Sequence, residues 1–386
     1  MWSMVNLEKF LIVLFLLLLP SQLAFHFWPS WSLINGIRVD YLSPTLYLTD
    51  LIIIGLFLTS RLRIRVPLPA IIFVILNILI SSSPLVSLYK WLRVLEYFWL
   101  FKYLVSQKNR LLDLGSWTLS LAVFWTAILA WWQFFLQHSV GGLWYWLGER
   151  PLSVSTPLIA KVFLGFGIWD LGFVLRPYAT MPHPNALAGF LLVAGLIIYS
   201  FKSKLSVERW ALWAAALTIP ITFSRTAIVL EMLILLFWLR PLILKIFLLI
   251  SGVYYLISIT GSAVSIPDRL DLIYNSLSLI QKSPLLGVGL GNFIPATGLY
   301  QPVHNTYLLL ASELGIPAFL FIGYLVIKNL FQISKIVRTA SKFQIAVAVI
   351  AITGAADHYW LTLHQNTLLL VILIAYAYSY RWGSQR

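Results

Sequence analysis

The sequence predicts an all-α polytopic membrane protein, a transmembrane helical bundle of about twelve spans. Three observations carry that prediction. Of 386 residues, 60% are hydrophobic and only 10% charged, against about 25% charged in an ordinary soluble domain. Too few polar side chains remain to cover a water-facing surface. Apolar runs recur from end to end, and 17 Trp, 18 Tyr and 24 Phe supply aromatic belts for the membrane interfaces. The basic residues, finally, fall in alternate connectors between the apolar runs.

The apolar segments lie near 10–27, 43–59, 68–82, 85–105, 113–136, 184–200, 210–223, 226–239, 243–260, 305–327, 343–358 and 365–380. The first lacks a clear small-residue cleavage site and reads as an uncleaved span. Short basic connectors hold Lys9, then Arg61, Arg63 and Arg65, then Lys108 and Arg110, then Lys202, Lys204 and Arg209, then Arg240 and Lys245, then Lys328, Lys335, Arg338 and Lys342, and finally Arg381 and Arg386. Longer, cation-poor connectors alternate with them. The positive-inside rule then sets both termini in the cytoplasm and loops 137–183 and 261–304 outside. That topology describes a multi-pass protein of the cytoplasmic membrane, read as one integral membrane domain over 1–386. No internal repeat is evident. The net charge of +14 is spent on topology, which removes nucleic acid as a partner. The absence of cysteine excludes disulfides, thiolate catalysis and Cys-ligated metals.

Ionisable residues inside such segments are costly and therefore informative. The fourth span carries Lys90, Arg93, Glu96 and Lys102. Arg93 and Glu96 share a helix face at a spacing of three and read as an internal ion pair; lining for a charged substrate is the alternative. Glu231, mid-span, is expected to be hydrogen-bonded in the bundle or neutral, with proton coupling as the alternative.

Arg225, in Ser224-Arg225-Thr226, is expected at a tight outer turn. There a fork-shaped guanidinium is suited to a diphosphate, or simply snorkels. Loop 137–183 holds Gly148-Glu149-Arg150 and an apolar stretch 158–175 with Asp170. That stretch reads as interfacial or re-entrant, because a full span would invert the downstream charge pattern. Arg176 follows, with no evident structural task. Pro182 and Pro184 flank His183, and Asn185 is placed as the N-cap of the sixth span.

Loop 261–304 opens with the helix start Pro267-Asp268-Arg269 and an amphipathic stretch on Leu270, Ile273, Leu277 and Ile280. Gly287-Val-Gly289-Leu-Gly291 follows. Lacking a βαβ context, this run is no dinucleotide motif; its glycines let backbone pass close to another segment or a ligand. His304-Asn305-Thr306-Tyr307 opens the tenth span, with Glu313 near the opposite azimuth of the same helix. Asp357-His358 and His364-Gln365-Asn366 occupy the last outer loop. Asp357 is free to orient a histidine or a sugar hydroxyl, or to stand in solvent.

Taken in order, these pieces resemble the O-antigen ligase and O-antigen polymerase family. The matching segments are Arg176…Pro182-His183-Pro184-Asn185-Ala-Leu-Ala188, Ser224-Arg225-Thr226, Arg269…Ser283-Pro-Leu-Leu-Gly287-Val-Gly289, and His304-Asn305-Thr306-Tyr307-Leu308…Glu313-Leu-Gly315. They cover roughly 140–330. Pro317 departs from the pattern, and nothing in the first 130 residues carries it.

The resemblance implies a glycosyltransferase C-type fold. It also implies transfer of a glycan from an undecaprenyl diphosphate carrier to an acceptor hydroxyl outside the cytoplasmic membrane, with no cofactor and no metal. In keeping with that, the first outer loop, about 28–42, offers Asp40 alone and no clustered carboxylates for a divalent ion. The implied partners are the lipid-linked glycan, a glycan or lipid acceptor, and membrane lipids.

Carried over residue by residue, the resemblance puts Arg225 and Arg269 on the diphosphate, with Arg176 as a third. His304 becomes the general base or acceptor orienter, since histidine is the side chain suited to proton transfer near neutral pH. His183, Asn185, Asn305 and Asp357 line the substrate. These groups are expected to share one outer cavity. Two rival readings are a polysaccharide flippase or small-anion transporter, and a non-enzymatic assembly protein.

Overall fold

The structure is a computed structural model that describes residues 4–166, 169–201, 206–238, 241–261, 266–334 and 340–383. Lys202, Lys204, Arg240, Lys335, Arg338 and Arg386 lie outside the described residues, as do the side chains of Asp170, Lys342 and Arg381. The chain is mostly helical, as its composition predicts. Its backbone contacts group into two compact units: Met1–Ile12 with Ala24–Asp113 and Ile266–Arg386, and Val13–Leu23 with Leu114–Ser265.

In chain order the elements are α1 (Met4–Leu17), β1 (Ala24–His26), β2 (Leu33–Ile34), β3 (Ile37–Arg38), β4 (Thr45–Tyr47), α2 (Leu48–Thr59), α3 (Leu68–Leu79), α4 (Pro84–Ser106) and α5 (Lys108–Leu136). Then come β5 (Lys161–Phe166), β6 (Trp169–Leu175), α6 (Pro184–Ser200), α7 (Ser206–Ile221), α8 (Arg225–Trp238), α9 (Leu242–Ser258) and β7 (Ile259–Gly261). The chain closes with α10 (Ile266–Lys282), α11 (Phe293–Thr297), α12 (Thr306–Leu314), α13 (Ile316–Ser334), α14 (Ala340–Ala356), α15 (Tyr359–Thr362) and α16 (His364–Gly383).

Among the described residues, α5 alone is both long and apolar enough to cross a bilayer by itself. Helices α2 and α3, at 12 residues each, rise about 18 Å, against a hydrocarbon thickness of about 30 Å. Helix α4 has the length, 23 residues, but carries four charges.

In the first unit, α4 packs along α3 and α16, and α10 lies on α12. A core of Val39, Leu42, Val86, Leu272, Leu279, Phe293, Ile294, Val303 and Leu309 fills the space between the N-terminal loop, α4, α10 and α12. The inward stripe of α10 is Leu272, Ser276 and Leu279, whereas Leu270 and Leu277 remain about half exposed. The amphipathic reading of this helix therefore holds with its buried face rotated.

The expected tenth span is broken. Gly315 sits at φ +81° between α12 and α13, and a Cβ there would meet the Leu285 carbonyl oxygen at 2.4 Å. Only glycine permits that crossing, and Pro317 then starts α13 in its first turn, where its missing N–H costs nothing.

In the second unit, α6 is buried along nearly its whole length, with α7 and α8 beside it. The apolar stretch 158–175 contains an antiparallel hairpin, β5–β6, extended by β7 in the order β6-β5-β7. Its Val, Phe and Trp residues favour strand, and pairing across the sheet satisfies backbone groups that a lone re-entrant segment would leave open.

Candidate active site

The first unit gathers a histidine–carboxylate–histidine cluster from two places far apart in sequence. Asn305 caps α12: its side-chain oxygen accepts from the N–H groups of Tyr307 and Leu308 at 2.9 and 3.0 Å. Its Nδ2 donates to the Ala355 carbonyl at 3.1 Å, and Thr306 Oγ1 donates to the Asp357 carbonyl at 3.0 Å. The start of α12 is thereby tied to the end of α14 and to the turn beyond it.

His304, one residue before the cap, faces that turn. Its Nδ1 lies 3.4 Å from Asp357 Oδ1, and its ring stacks on His358 with centroids 5.1 Å apart. Asp357 Oδ1 also accepts the His358 N–H at 2.8 Å, and His358 Nδ1 lies 2.7 Å from Thr362 Oγ1. His304 Nε2 is buried and has no hydrogen-bond partner, although the side chain as a whole keeps 18% exposure.

A buried ring nitrogen without a partner costs about 1–3 kcal/mol, so it stands out among the polar atoms of this unit. Burial, and behind it the neighbouring His304, pushes the His358 imidazole down to about 4 against the pull of Asp357. His358 therefore stays neutral near pH 7.

Both His304 and Asp357 are site residues in the sequence reading. The structure joins them and makes Asp357 a buried carboxylate rather than a solvated one. His358 is the member the sequence did not single out as functional; the adjacent Asp357-His358 pair was the available signal. Asn305, expected on the substrate, has its amide committed to the cap and to α14.

The other residues of this unit sort differently. Arg269 stands exposed in the first turn of α10. Glu313 is buried in a backbone cradle. Its carboxylate accepts from Gly291 N at 2.8 Å, Phe293 N at 3.1 Å and Tyr41 Oη at 3.0 Å. Asn77 holds the same segment, accepting from Leu290 N at 2.9 Å and donating to the Leu286 and Glu313 carbonyls. The glycine run thus packs backbone against backbone: Gly287 sits at φ +67°, and a Cβ there would meet Glu313 O at 2.4 Å. Of the two roles the sequence leaves open, close approach to another segment is the one this geometry displays.

The Arg93–Glu96 pair is present at 2.8 Å and belongs to a larger buried network. Arg93 also reaches Asp50 at 2.7 Å and the Thr45 carbonyl. Asp50 faces His364 Nε2 at 3.1 Å and accepts Tyr47 N–H at 2.7 Å. His364 is further held by Thr49 and Tyr97, both at 2.8 Å. The ion-pair reading of span four is the one the geometry favours.

The second unit holds Arg176, His183, Asn185 and Arg225. Arg176 has a structural task after all: Nε donates to the Thr222 carbonyl at 2.8 Å and Nη2 to Asn185 Oδ1 at 2.7 Å. Asn185 is not the cap of α6. That position belongs to His183, whose Nδ1 accepts the Asn185 N–H at 3.1 Å. Pro184 takes the first helical position, where its fixed φ fits and its missing N–H goes unused, so the cap falls two residues before Asn185.

Arg225 is the exposed first residue of α8. The turn before it is locked by Thr222 Oγ1 on Ile219 O at 2.6 Å and by Tyr255 Oη on Pro220 O at 2.7 Å. Phe223 is held there at φ +54°, a backbone state bulky residues adopt only when their surroundings impose it.

Glu231, expected to be hydrogen-bonded in the bundle or neutral, has a buried Oε1 with no partner. It lines an apolar cavity of about 290 Å³ together with Leu191, Tyr199, Trp213 and Trp238.

No protein-family model and no curated protein matches the chain.

Proposed function

We propose that the chain is a polytopic glycosyltransferase of the O-antigen ligase or polymerase type. It moves a glycan from undecaprenyl diphosphate to an acceptor hydroxyl at the outer face of the cytoplasmic membrane. The observation that carries the reading is the His304–Asp357 pair with its unpartnered Nε2. Asp357 holds the Nδ1 proton, which fixes the tautomer and leaves the Nε2 lone pair for the acceptor hydroxyl. The acceptor oxygen bonds to the anomeric carbon as the bond from that carbon to the diphosphate oxygen breaks. The proton passes to His304, and the released charge stays on the diphosphate.

Guanidinium groups suit that charge because they are always protonated and bind two oxygens at once. The resemblance gives this role to Arg225 and Arg269. Arg176, bonded to Thr222 and Asn185, then acts by holding the turn that ends at Arg225.

The membrane setting is supported by the outward faces of the helices. Leu68, Ile71, Ile72, Ile75 and Leu79 of α3, and Leu242, Ile243 and Ile250 of α9, are each at least 41% exposed. Such continuous apolar faces exceed what water-soluble proteins present. The charge alternation supports about twelve crossings with both termini inside.

Glu231 favours a second reading, a transporter, since a carboxyl facing an apolar cavity mid-helix is the kind of group that couples transport to protons. The glycan profile of a deletion strain separates the two. Single repeats indicate lost polymerisation, and complete lipid-linked chains that never reach an acceptor indicate lost ligation. An unaltered profile removes the transferase reading and leaves transport.

A further inference from the structure

We infer that His304, Asp357 and His358 form a binding site for a divalent transition-metal ion of the Zn2+, Co2+ or Ni2+ class. One potential ligand atom from each lies within 4.8 Å of the other two. Tetrahedral ligands at about 2.0–2.1 Å from an ion stand about 3.4 Å apart, and His304 Nδ1 and Asp357 Oδ1 are already 3.4 Å apart. The ligand nitrogen of His358 stands within 4.8 Å of the other two atoms, so the site closes on an ion with a side-chain adjustment.

Two imidazole nitrogens and one carboxylate oxygen select transition metals over Mg2+ or Ca2+, which prefer all-oxygen shells. Three protein ligands leave a fourth position for water. The surrounding bonds are those of a held site rather than a chance meeting. Thr306 Oγ1 fixes the Asp357 carbonyl at 3.0 Å, the Asp357 N–H donates to Thr353 O at 2.9 Å, and Thr362 stands at the His358 ring. The ligand nitrogen of His304 is Nδ1, the one that faces Asp357; Nε2 points away from the ion and keeps its proton. The inference stands on the cluster alone and does not require the transferase reading. If both hold, the ion takes the imidazole that the transfer reaction needs, so bound metal inhibits.

The test is a Zn2+ titration by calorimetry, with Co2+ as a spectroscopic probe, on full-length protein purified without a histidine tag and stripped with chelator. The expected result is one ion per chain, with the visible absorption of four-coordinate Co2+. His304→Ala, Asp357→Asn and His358→Ala should each weaken binding about a hundredfold, while His138→Ala, at an exposed loop histidine, leaves it unchanged. Fluorescence unfolding of each metal-free variant checks folding, with His304→Gln and His358→Gln standing in for any alanine variant that fails. Wild-type protein that takes up less than one ion per chain overturns the inference regardless of any variant. Stoichiometry that survives loss of all three side chains overturns it as well. Glycan transfer is scored separately: metal binding without inhibition keeps the site and removes His304 as the base.

Discussion

Removing the Asp50 carboxylate is expected to cost the first unit about 2–4 kcal/mol. Asp50 is 5% exposed and Arg93 11%, so neither is relieved by solvent. The Asp50→Ala change removes one of two carboxylates facing Arg93, which keeps Glu96 at 2.8 Å, so the loss is that of one charge-assisted contact, about 1.5–3 kcal/mol. It also frees the Tyr47 N–H that Asp50 accepts at 2.7 Å, a lost helix cap of about 1 kcal/mol.

Against a total stability of about 5–15 kcal/mol, that is a large fraction. At about 2 °C per kcal/mol for a chain of this size, the midpoint falls by about 4–8 °C. The assay is thermal unfolding of detergent-solubilised protein followed by tryptophan fluorescence. Asp50→Asn keeps an acceptor for Tyr47 and His364 while losing the charge, and should fall in between. A midpoint shift under about 2 °C for Asp50→Ala refutes the claim that this network holds β4, α2, α4 and α16 together.

Further outcomes follow from the same geometry. Gly315→Ala should destabilise the α12–α13 break by about 3 kcal/mol or more, since the new Cβ meets backbone that has no room to move; an unchanged unfolding midpoint contradicts this. Asn305→Ala removes a cap and a tie to α14, so it should lower stability by about 1–2 kcal/mol. Its effect on transfer should be weaker than that of His304→Ala, as unfolding and glycan profiles together will show. Because the chain has no cysteine, single reporters give topology directly. A membrane-impermeant thiol reagent should label Ser155→Cys on intact cells and Ser106→Cys only after permeabilisation. The reverse pattern inverts the orientation. Arg225→Ala should eliminate transfer with membrane insertion intact.

Local signals were readable in the sequence, and long-range pairings were not. Arg93 and Glu96 stand three apart on one helix face, so their pairing follows from helical geometry alone. Asp50 and His364 join the same network across 314 residues, a separation that carries no periodic signal. His304 and Asp357 each stood out as polar groups beside apolar spans, yet nothing in spacing joins positions 53 apart.

The break in the tenth span was written as Gly315-Ile316-Pro317, but high hydropathy on both sides hid it. The hairpin was hidden for the same reason: apolar strand and apolar helix share composition over short runs. Asn185 was placed two residues late, because Pro184 opens the helix and the cap falls on His183. The partner of the glycine run, Glu313, was visible only as a residue of α12, with nothing in spacing to join the two.

The most direct measurement is single-turnover transfer of a fluorescent glycan from undecaprenyl diphosphate by purified protein, comparing wild type with His304→Ala at matched folding. If His304 is the base that Asp357 orients, the variant slows the chemical step by about 10²–10⁴-fold, while binding of the lipid-linked donor is retained. A variant that transfers at the wild-type rate contradicts the assignment outright.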